Sequence, residues 1–169
     1  KTRIYGSADT AYTAGYTGFV NGETFETSGI TGSPKLTTAT NLKTAPGSYP
    51  ITAEQGTLSS NNYFFTFNNT GSLTITKAPL NVNADSLTKL YGTVNPALTI
   101  SYVGFMNGES ITSGSDVTGL ATLSTSATAN SAVGTYPITF SKQTLASTNY
   151  SITYKTSNLS VTKAPLTYA

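Results

Sequence analysis

The chain is 169 residues long, with nine Lys and Arg against seven Asp and Glu, so charged residues are only 9 % of it and the net charge is +2. It has no His and no Cys, which removes the commonest general base, the thiol nucleophile, a Ser-His-Asp triad, disulfides and most zinc or copper ligand sets. The cations are scattered, with no run to track a phosphate backbone, so nucleic acid is not an expected partner. No apolar stretch is long enough to span a bilayer.

The chain is written twice. Tyr5-Gly6 returns as Tyr91-Gly92, and Gly18-Phe19-Val20-Asn21-Gly22-Glu23 as Gly104-Phe105-Met106-Asn107-Gly108-Glu109. Gly47-Ser48-Tyr49-Pro50-Ile51-Thr52 returns as Gly134-Thr135-Tyr136-Pro137-Ile138-Thr139, and Leu73 to Leu80 as Leu159 to Leu166. Each copy is the size of a small domain. With no disulfide to staple it, each must rest on its own core and on its neighbours.

In chain order, Tyr12, Ala14, Tyr16 and Phe19 match Leu98, Ile100, Tyr102 and Phe105, the inward side of a strand. Asn21-Gly22 and Asn107-Gly108 then carry a tight-turn signal. The stretches Glu23 to Glu26 and Glu109 to Thr112 are candidates for one helical turn; no window supports a long amphipathic helix. Tyr49, Ile51 and Ala53 match Tyr136, Ile138 and Phe140 as the inward set of the next strand. Pro50 and Pro137 cannot donate to a ladder, which places them at an edge or a bulge.

Tyr63, Phe65 and Phe67, matching Tyr150, Ile152 and Tyr154, alternate with outward residues and predict a half-buried strand. Asn68-Asn69-Thr70-Gly71, and Thr156-Ser157-Asn158 in the second copy, read as hairpin turns into strands with Leu73 and Ile75, or Leu159 and Val161, inward. Ala78-Pro79 and Ala164-Pro165 read as short, semi-rigid proline joins between copies.

The expected organisation is therefore a first β module over residues 1–79, a second over 80–165, and the first strand of a third at 166–169. The first module has only Lys1 to Ile4 before Tyr5, where the second has Leu80 to Leu90 before Tyr91. The chain is thus expected to be a fragment of a longer array. An unpaired edge in the first module and a strand without a module at Leu166, Thr167, Tyr168 and Ala169 point to weak head-to-tail self-association. The fold expected is mainly β: two tandem antiparallel modules, either Ig-like sandwiches or β-grasp-like sheets with at most a short helical turn.

The Tyr-Gly pair, the Gly-Phe-Val-Asn-Gly-Glu turn, Gly-x-Tyr-Pro-Ile-Thr, Asn-Tyr and the closing Leu-Thr-Ile-Thr-Lys-Ala-Pro together resemble the MBG-type (YGX-type) repeats of bacterial surface adhesins and haemagglutinin-like secreted proteins. The resemblance covers nearly the whole chain, twice. It implies a bacterial, extracellular, β-rich module found in tandem, often within a stalk, and it supplies neither a catalytic set nor a defined ligand. The first copy departs from the pattern at Thr10, where the second has Pro96, and in its short opening strand.

The residues themselves give no enzyme. Ser86-Leu87-Thr88-Lys89 matches a Ser-x-x-Lys nucleophile motif only formally, without a helix or companion motifs. Of the carboxylates Asp9, Glu23, Glu26, Glu54, Asp85, Glu109 and Asp116, only Glu23 and Glu109 recur, and no calcium-loop cluster exists. No cofactor and no metal is expected. Lys77 and Lys163, with Asn62, Asn149 and the two recurring Glu, contain the ingredients of a Lys–Asn side-chain crosslink, but a place beside the joins favours a linker role. The aromatic residues Tyr12, Tyr16 and Phe25 are the candidate ligand contacts, since most other rings fall on inner faces. Function is expected to be structural, a stalk or spacer presenting an adhesive region, with neighbouring repeats as partners. The alternative is that the modules themselves bind a glycan or a host surface protein.

Overall fold

The computed structural model describes Lys1–Tyr168; Ala169, the last residue of the expected third-module strand, lies outside the described residues. Twelve strands and no helix are found among them. The chain divides into two compact units, Lys1–Thr76 and Lys77–Ala169.

Module two is the fuller one, with strands β6 (Ala78–Ala84), β7 (Leu87–Leu90), β8 (Ile100–Val103), β9 (Ala121–Thr125), β10 (Gly134–Gln143), β11 (Tyr150–Lys155) and β12 (Ser157–Thr162). They form two sheets, ordered β7-β12-β10-β9 and β11-β6-β8. Alternation sets the faces: Leu80 and Val82 of β6, Ile138 of β10, and Leu159 and Val161 of β12 are buried, with exposed or half-buried polar residues between them. Ala84, Ala127, Ile138 and Leu159 make the core, flanked by Leu87, Leu98, Leu123, Tyr136 and Phe140. Two sheets without a helix are the sandwich alternative of the two expected.

Two segments of module two run side by side through both sheets. β6 leads into β7 across Asp85-Ser86, and β11 leads into β12 across Thr156. β6 pairs parallel with β11 and β7 pairs parallel with β12, so both segments change sheet at one level. Ser157 Oγ ties that corner by donating to the Asp85 carbonyl at 2.9 Å. The expected hairpin at Thr156-Ser157-Asn158 is therefore not formed, and Ser157 and Asn158 belong to β12. A hairpin would have put β11 and β12 in one sheet; instead each finds a partner more than 60 residues away. Long separation allows parallel pairing, so the modules are mixed rather than wholly antiparallel.

Module one has β1 (Thr2–Ile4), β2 (Lys35–Thr37), β3 (Gly47–Pro50), β4 (Thr52–Glu54) and β5 (Ser72–Thr76). The sheets are β1-β5-β3, with β1 parallel to β5, and β2-β4. Leu73 and Ile75 are buried, as the alternation predicts. β1 corresponds to β7, since Tyr5 aligns with Tyr91, and no residue of module one corresponds to β6.

That difference removes two expected strands. Residues 63–67 and 12–19 match β11 and the β8 region, yet neither forms a strand in module one. In module two both lie against β6, and a strand needs a partner for its N–H and C=O groups. Tyr63 and Phe65 remain half-buried with exposed neighbours, so the side-chain alternation survives without the ladder. The hairpin expected at Asn68–Gly71 also fails, because there is no strand before it. Asn69 Oδ1 instead accepts from the Ala53 N–H at 2.8 Å.

The prolines are placed by the ladders. β3 is an edge strand ending at Pro50, and Pro137 pairs with Asn158 on one side just before β9 begins pairing at Ile138. A bulge lies between Phe140 and Lys142. Ala78 and Pro79 form no linker: Ala78 is fully buried, and both residues belong to β6. The division between units falls at Thr76–Lys77, ahead of residue 79, leaving Lys77 alone between β5 and β6. Leu166–Tyr168 forms no strand.

Candidate functional site

The Asn-Gly turns are built identically in both modules. Asn21 and Gly22 have φ of 57° and 71°, and Asn107 and Gly108 have 56° and 72°. Two successive left-handed residues define a primed turn, for which Asn-Gly is the preferred pair. It is closed by Glu23 N–H to Val20 O at 3.0 Å and by Glu109 N–H to Met106 O at 2.9 Å. After it the copies diverge. Module one makes a single helical turn, with Ser28 N–H donating to Thr24 O at 2.9 Å. Module two makes a tight bridged turn between Ser110 and Ser113 in place of the expected helical one.

The two recurring Glu anchor that turn to the rest of the module. Tyr150 Oη donates to Glu109 Oε2 at 2.5 Å and accepts from the Met106 N–H at 3.0 Å. Tyr63 repeats this, donating to Glu23 and accepting from the Val20 N–H at 3.3 Å. Hydrogen bonding to Glu23 holds the Tyr63 phenol above its ordinary pKa. The phenylalanine before each turn meets the same tyrosine edge-on: Phe19–Tyr63 at 5.9 Å and Phe105–Tyr150 at 5.4 Å. Sequence reading found these Tyr and Glu residues separately; their joint recurrence about forty positions apart was the signal that could have paired them.

The other carboxylates are likewise bonded within the fold. Asp9 accepts from Arg3 Nε at 2.5 Å and from Tyr12 Oη at 2.7 Å. Desolvation first, and Asp9 second, push the Tyr12 phenol up to about 12. Asp116 accepts from Ser147 Oγ at 2.5 Å and from the N–H groups of Thr148 and Asn149 at 2.7 and 3.1 Å. Desolvation opposes its charge, but these donors outweigh it and hold the carboxyl below its ordinary range. Glu26 meets Thr24, Glu54 meets Lys35, and Asp85 meets Thr99. No cluster of three or more potential metal-ligating side chains occurs among the described residues.

Arg3 and Lys89, at matching positions, are both buried, which the sequence reading did not anticipate. Arg3 donates to Asn41 O at 2.7 Å besides its ion pair, and Lys89 Nζ donates to Thr93 O and Thr128 O at 2.8 and 2.6 Å. Each cation satisfies loop carbonyls, so Lys89 lies on a strand in a structural role and Ser86-x-x-Lys89 lacks its helix. Lys77 Nζ donates to Ser147 O at 2.7 Å.

A groove of about 850 Å³ lies in module one. Tyr12, Tyr16 and Phe19 line one wall, and Tyr63, Phe65 and Phe67 line the other. Of the candidate ligand contacts, Tyr12 and Tyr16 face this groove, and Phe25 packs behind Tyr16 with ring centroids 4.6 Å apart. All three are half-buried. In module two the matching walls enclose β6.

The sequence model of the MBG domain (YGX type) matches residues 1–74 and again 80–160. The comparisons with curated proteins and with solved structures gave no match. The two matches span most of the chain and coincide with the two modules, each with the Tyr-Gly pair, the Asn-Gly-Glu turn and its tyrosine anchor, so the chain belongs to the MBG domain (YGX type) family as two tandem repeats.

Proposed function

We propose that this chain is a load-bearing, non-catalytic stalk or spacer segment of a bacterial extracellular adhesin, presenting an adhesive region away from the cell surface. The family points towards repeat domains of surface proteins. The observation that carries the stalk reading is the parallel pairing of each module's opening and closing segments. β7 lies parallel to β12 with Leu87 opposite Leu159 and Leu90 opposite Thr162. β1 lies parallel to β5 with Thr2 opposite Thr74 and Ile4 opposite Thr76.

Tension enters module two at the start of β6 and leaves at the end of β12, the opposite ends of two segments that run parallel, β6 on β11 and β7 on β12. Pulling on those ends slides one segment along the other. All the bonds of the ladder are then loaded together instead of opening one by one. The single residue between β5 and β6 leaves little slack to absorb the load. A surface rich in Thr, Ser and Asn and poor in charge keeps such a rod wetted without strong attraction to passing polyions.

Single-molecule stretching of the chain from its ends tests this. Both modules are expected to unfold at high force, and Tyr91→Pro, which removes the N–H that bonds the Thr162 carbonyl at 2.8 Å at the end of the β7–β12 ladder, is expected to lower module two's force while sparing module one. Low unfolding forces for both modules would sink the load-bearing reading. Protease shaving of intact cells checks the surface location. A second reading, glycan or host-protein binding by the modules themselves, rests on Tyr12 and on Tyr16 stacked with Phe25 at the groove; a glycan array against the Tyr16→Ala variant separates it.

A further inference from the structure

Burying a cation in a small core is costly, and both modules do so at the same place. We propose that Arg3 and Lys89 are positioning residues, register pins that stop β1 from sliding along β5 and β7 from sliding along β12, a role that rests on the load-bearing reading.

A parallel ladder by itself resists a one-residue slip but not a two-residue one. Side chains alternate between faces, so a shift of one residue turns every apolar group outward. A shift of two returns each to the buried side and re-forms the ladder. The inward residues are Leu73 and Ile75 on β5 and Leu159 and Val161 on β12, all buried and all aliphatic. Such a row does not tell one two-residue register from the next. The facing strands do: Arg3 pairs with Ile75 and Lys89 with Val161, matching positions in the two copies.

Each cation is 6 % exposed and reaches beyond its own strand pair. Lys89 Nζ donates to Thr128 O at 2.6 Å, and Arg3 Nη2 donates to Asn41 O at 2.7 Å. Thr128 and Asn41 are matching residues of the loop ahead of β10 or β3. Those strands pair with β12 and β5 on the side away from β7 and β1. The acceptor therefore stays with the closing strand when the opening strand moves. A two-residue slip carries the cation about 6.6 Å along the ladder, out of hydrogen-bond reach. Its charge is then buried without a partner, which is strongly unfavourable. Tension draws β7 towards its N-terminus, so the slipped register sets Lys89 against Leu159 and Thr88 against Asn158.

The remaining contacts differ between the copies. Arg3 Nε bonds Asp9 at 2.5 Å, whereas Lys89 Nζ bonds Thr93 O at 2.8 Å and Asn95 stands in the place of Asp9. What both modules keep is the buried cation on the opening strand and its bond to that one loop. Packing alone is served as well by an apolar side chain, since replacing a buried ionic group by one of similar volume is often neutral or stabilising. Thr93 and Thr128 are exposed residues, so water can take over their carbonyls.

Stretching and urea melts of the full chain, read together, test the pin. Lys89→Met should lower module two's unfolding force by roughly two-fold or more while its urea midpoint stays level or rises. Module one, unchanged, is the reference within the same molecule. Lys89→Arg with Asn95→Asp, which copies the Arg3–Asp9 pair, should restore the force. A second readout needs no load. The chain has no cysteine, so Thr88→Cys with Asn158→Cys gives a single thiol pair. In the native register Thr88 pairs with Ser160, which leaves this pair diagonal and too far apart for a disulfide; the slip brings it face to face. Just below the melt the pair should stay reduced with Lys89 in place, and close under mild oxidation once Lys89→Met is added. Low force in the unaltered chain would sink the load-bearing reading itself and leave the thiol pair to decide the pin. The pin alone is overturned by a high force that Lys89→Met leaves unchanged, by a Lys89→Met module that melts lower or does not fold, or by equal oxidation with and without Lys89.

Discussion

Residues 63–67 and 150–155 have the same inward pattern and the same phenol-to-Glu anchor, yet only the second is a strand. Tyr150 is 1 % exposed, whereas Tyr63 is half-exposed. The difference lies in a third segment, β6, which gives β11 its ladder and buries the rings behind it. Local pattern specifies which face of a segment turns inward; a partner strand decides whether the segment becomes a strand at all. Module one retains the Tyr-Gly pair, the Asn-Gly turn, the tyrosine anchor and the buried cation without that partner, so these features do not depend on it.

The comparison breaks most sharply at β6 itself. Leu80→Ala, at a fully buried site between two strands, is expected to destabilise module two by about 3 kcal/mol, while Phe65→Ala on the half-exposed wall of module one costs clearly less. Urea melts followed by module-specific amide signals check both; equal losses would show that β6 is not what separates the modules. Next comes the close-approach glycine. Gly18→Ala carries only the left-handed backbone strain, about 1–2 kcal/mol. Gly104→Ala adds a collision with the Pro79 carbonyl and should cost visibly more, with exchange protection lost first along β6 and β8.

A smaller effect is expected at the anchor. Tyr150→Phe takes the acceptor from the half-buried Met106 N–H and one donor from Glu109, and should cost about 1–2 kcal/mol. Tyr63→Phe, where water reaches the groove, should cost less. A reversed order in thermal melts would contradict the account of burial given by β6.

The smallest effect separates the modules by pH. The folded-state pKa of Tyr12 is raised from 10.0 to about 12, so the unfolded chain gives up that proton first. The stabilisation of module one is complete below pH 10 and drains as pH rises towards 12. Asp116 is shifted the other way, below its ordinary 3.8. Its contribution to module two is complete above that value and is lost as pH falls through the depressed one. Module one has only Gly29 and Ile30 at the matching place. Alkali should therefore loosen module one first, and acid should open the Ser147–Asn149 corner of module two. Asp116→Asn should abolish the acid limb in a pH series of melts.

Much of this was legible in the chain because it is repeated. Two copies show which positions stay apolar, and that comparison alone placed Leu73, Ile75, Ile138, Leu159 and Val161 inside, Pro50 and Pro137 beside free edges, and Asn21 and Asn107 in primed turns. The turn is legible because backbone sterics act over neighbouring residues. Apart from the turn at Glu109 to Thr112, the errors involve partners distant in sequence. Asn68–Gly71 and Thr156–Asn158 look like hairpin turns because hydrophilic residues sit between two alternating runs, but alternation does not say which sheet each run joins. Ala78-Pro79 looks like a linker because proline cannot donate; in fact the residue sits in β6 at Ser151, beyond the stretch where β8 pairs on the other side.

The candidate site was legible in part. Tyr12 and Tyr16 face the groove, Tyr12 where the second copy has Leu98 and Tyr16 where it has Tyr102. Arg3 and Lys89 did not stand out, because a charged residue alternating outward in a short segment reads as solvent-exposed until loop carbonyls are seen around it.

What the sequence determined by itself is the family, the two tandem modules, the mainly β character and the inward faces, all fixed by local sterics and period-two alternation. Tertiary structure alone decided strand partners, the parallel shear pairs, the sheet-switching corner and the groove. The parallel pairs join segments more than 60 residues apart in register, and the free energy of a ladder exists only when both strands are present.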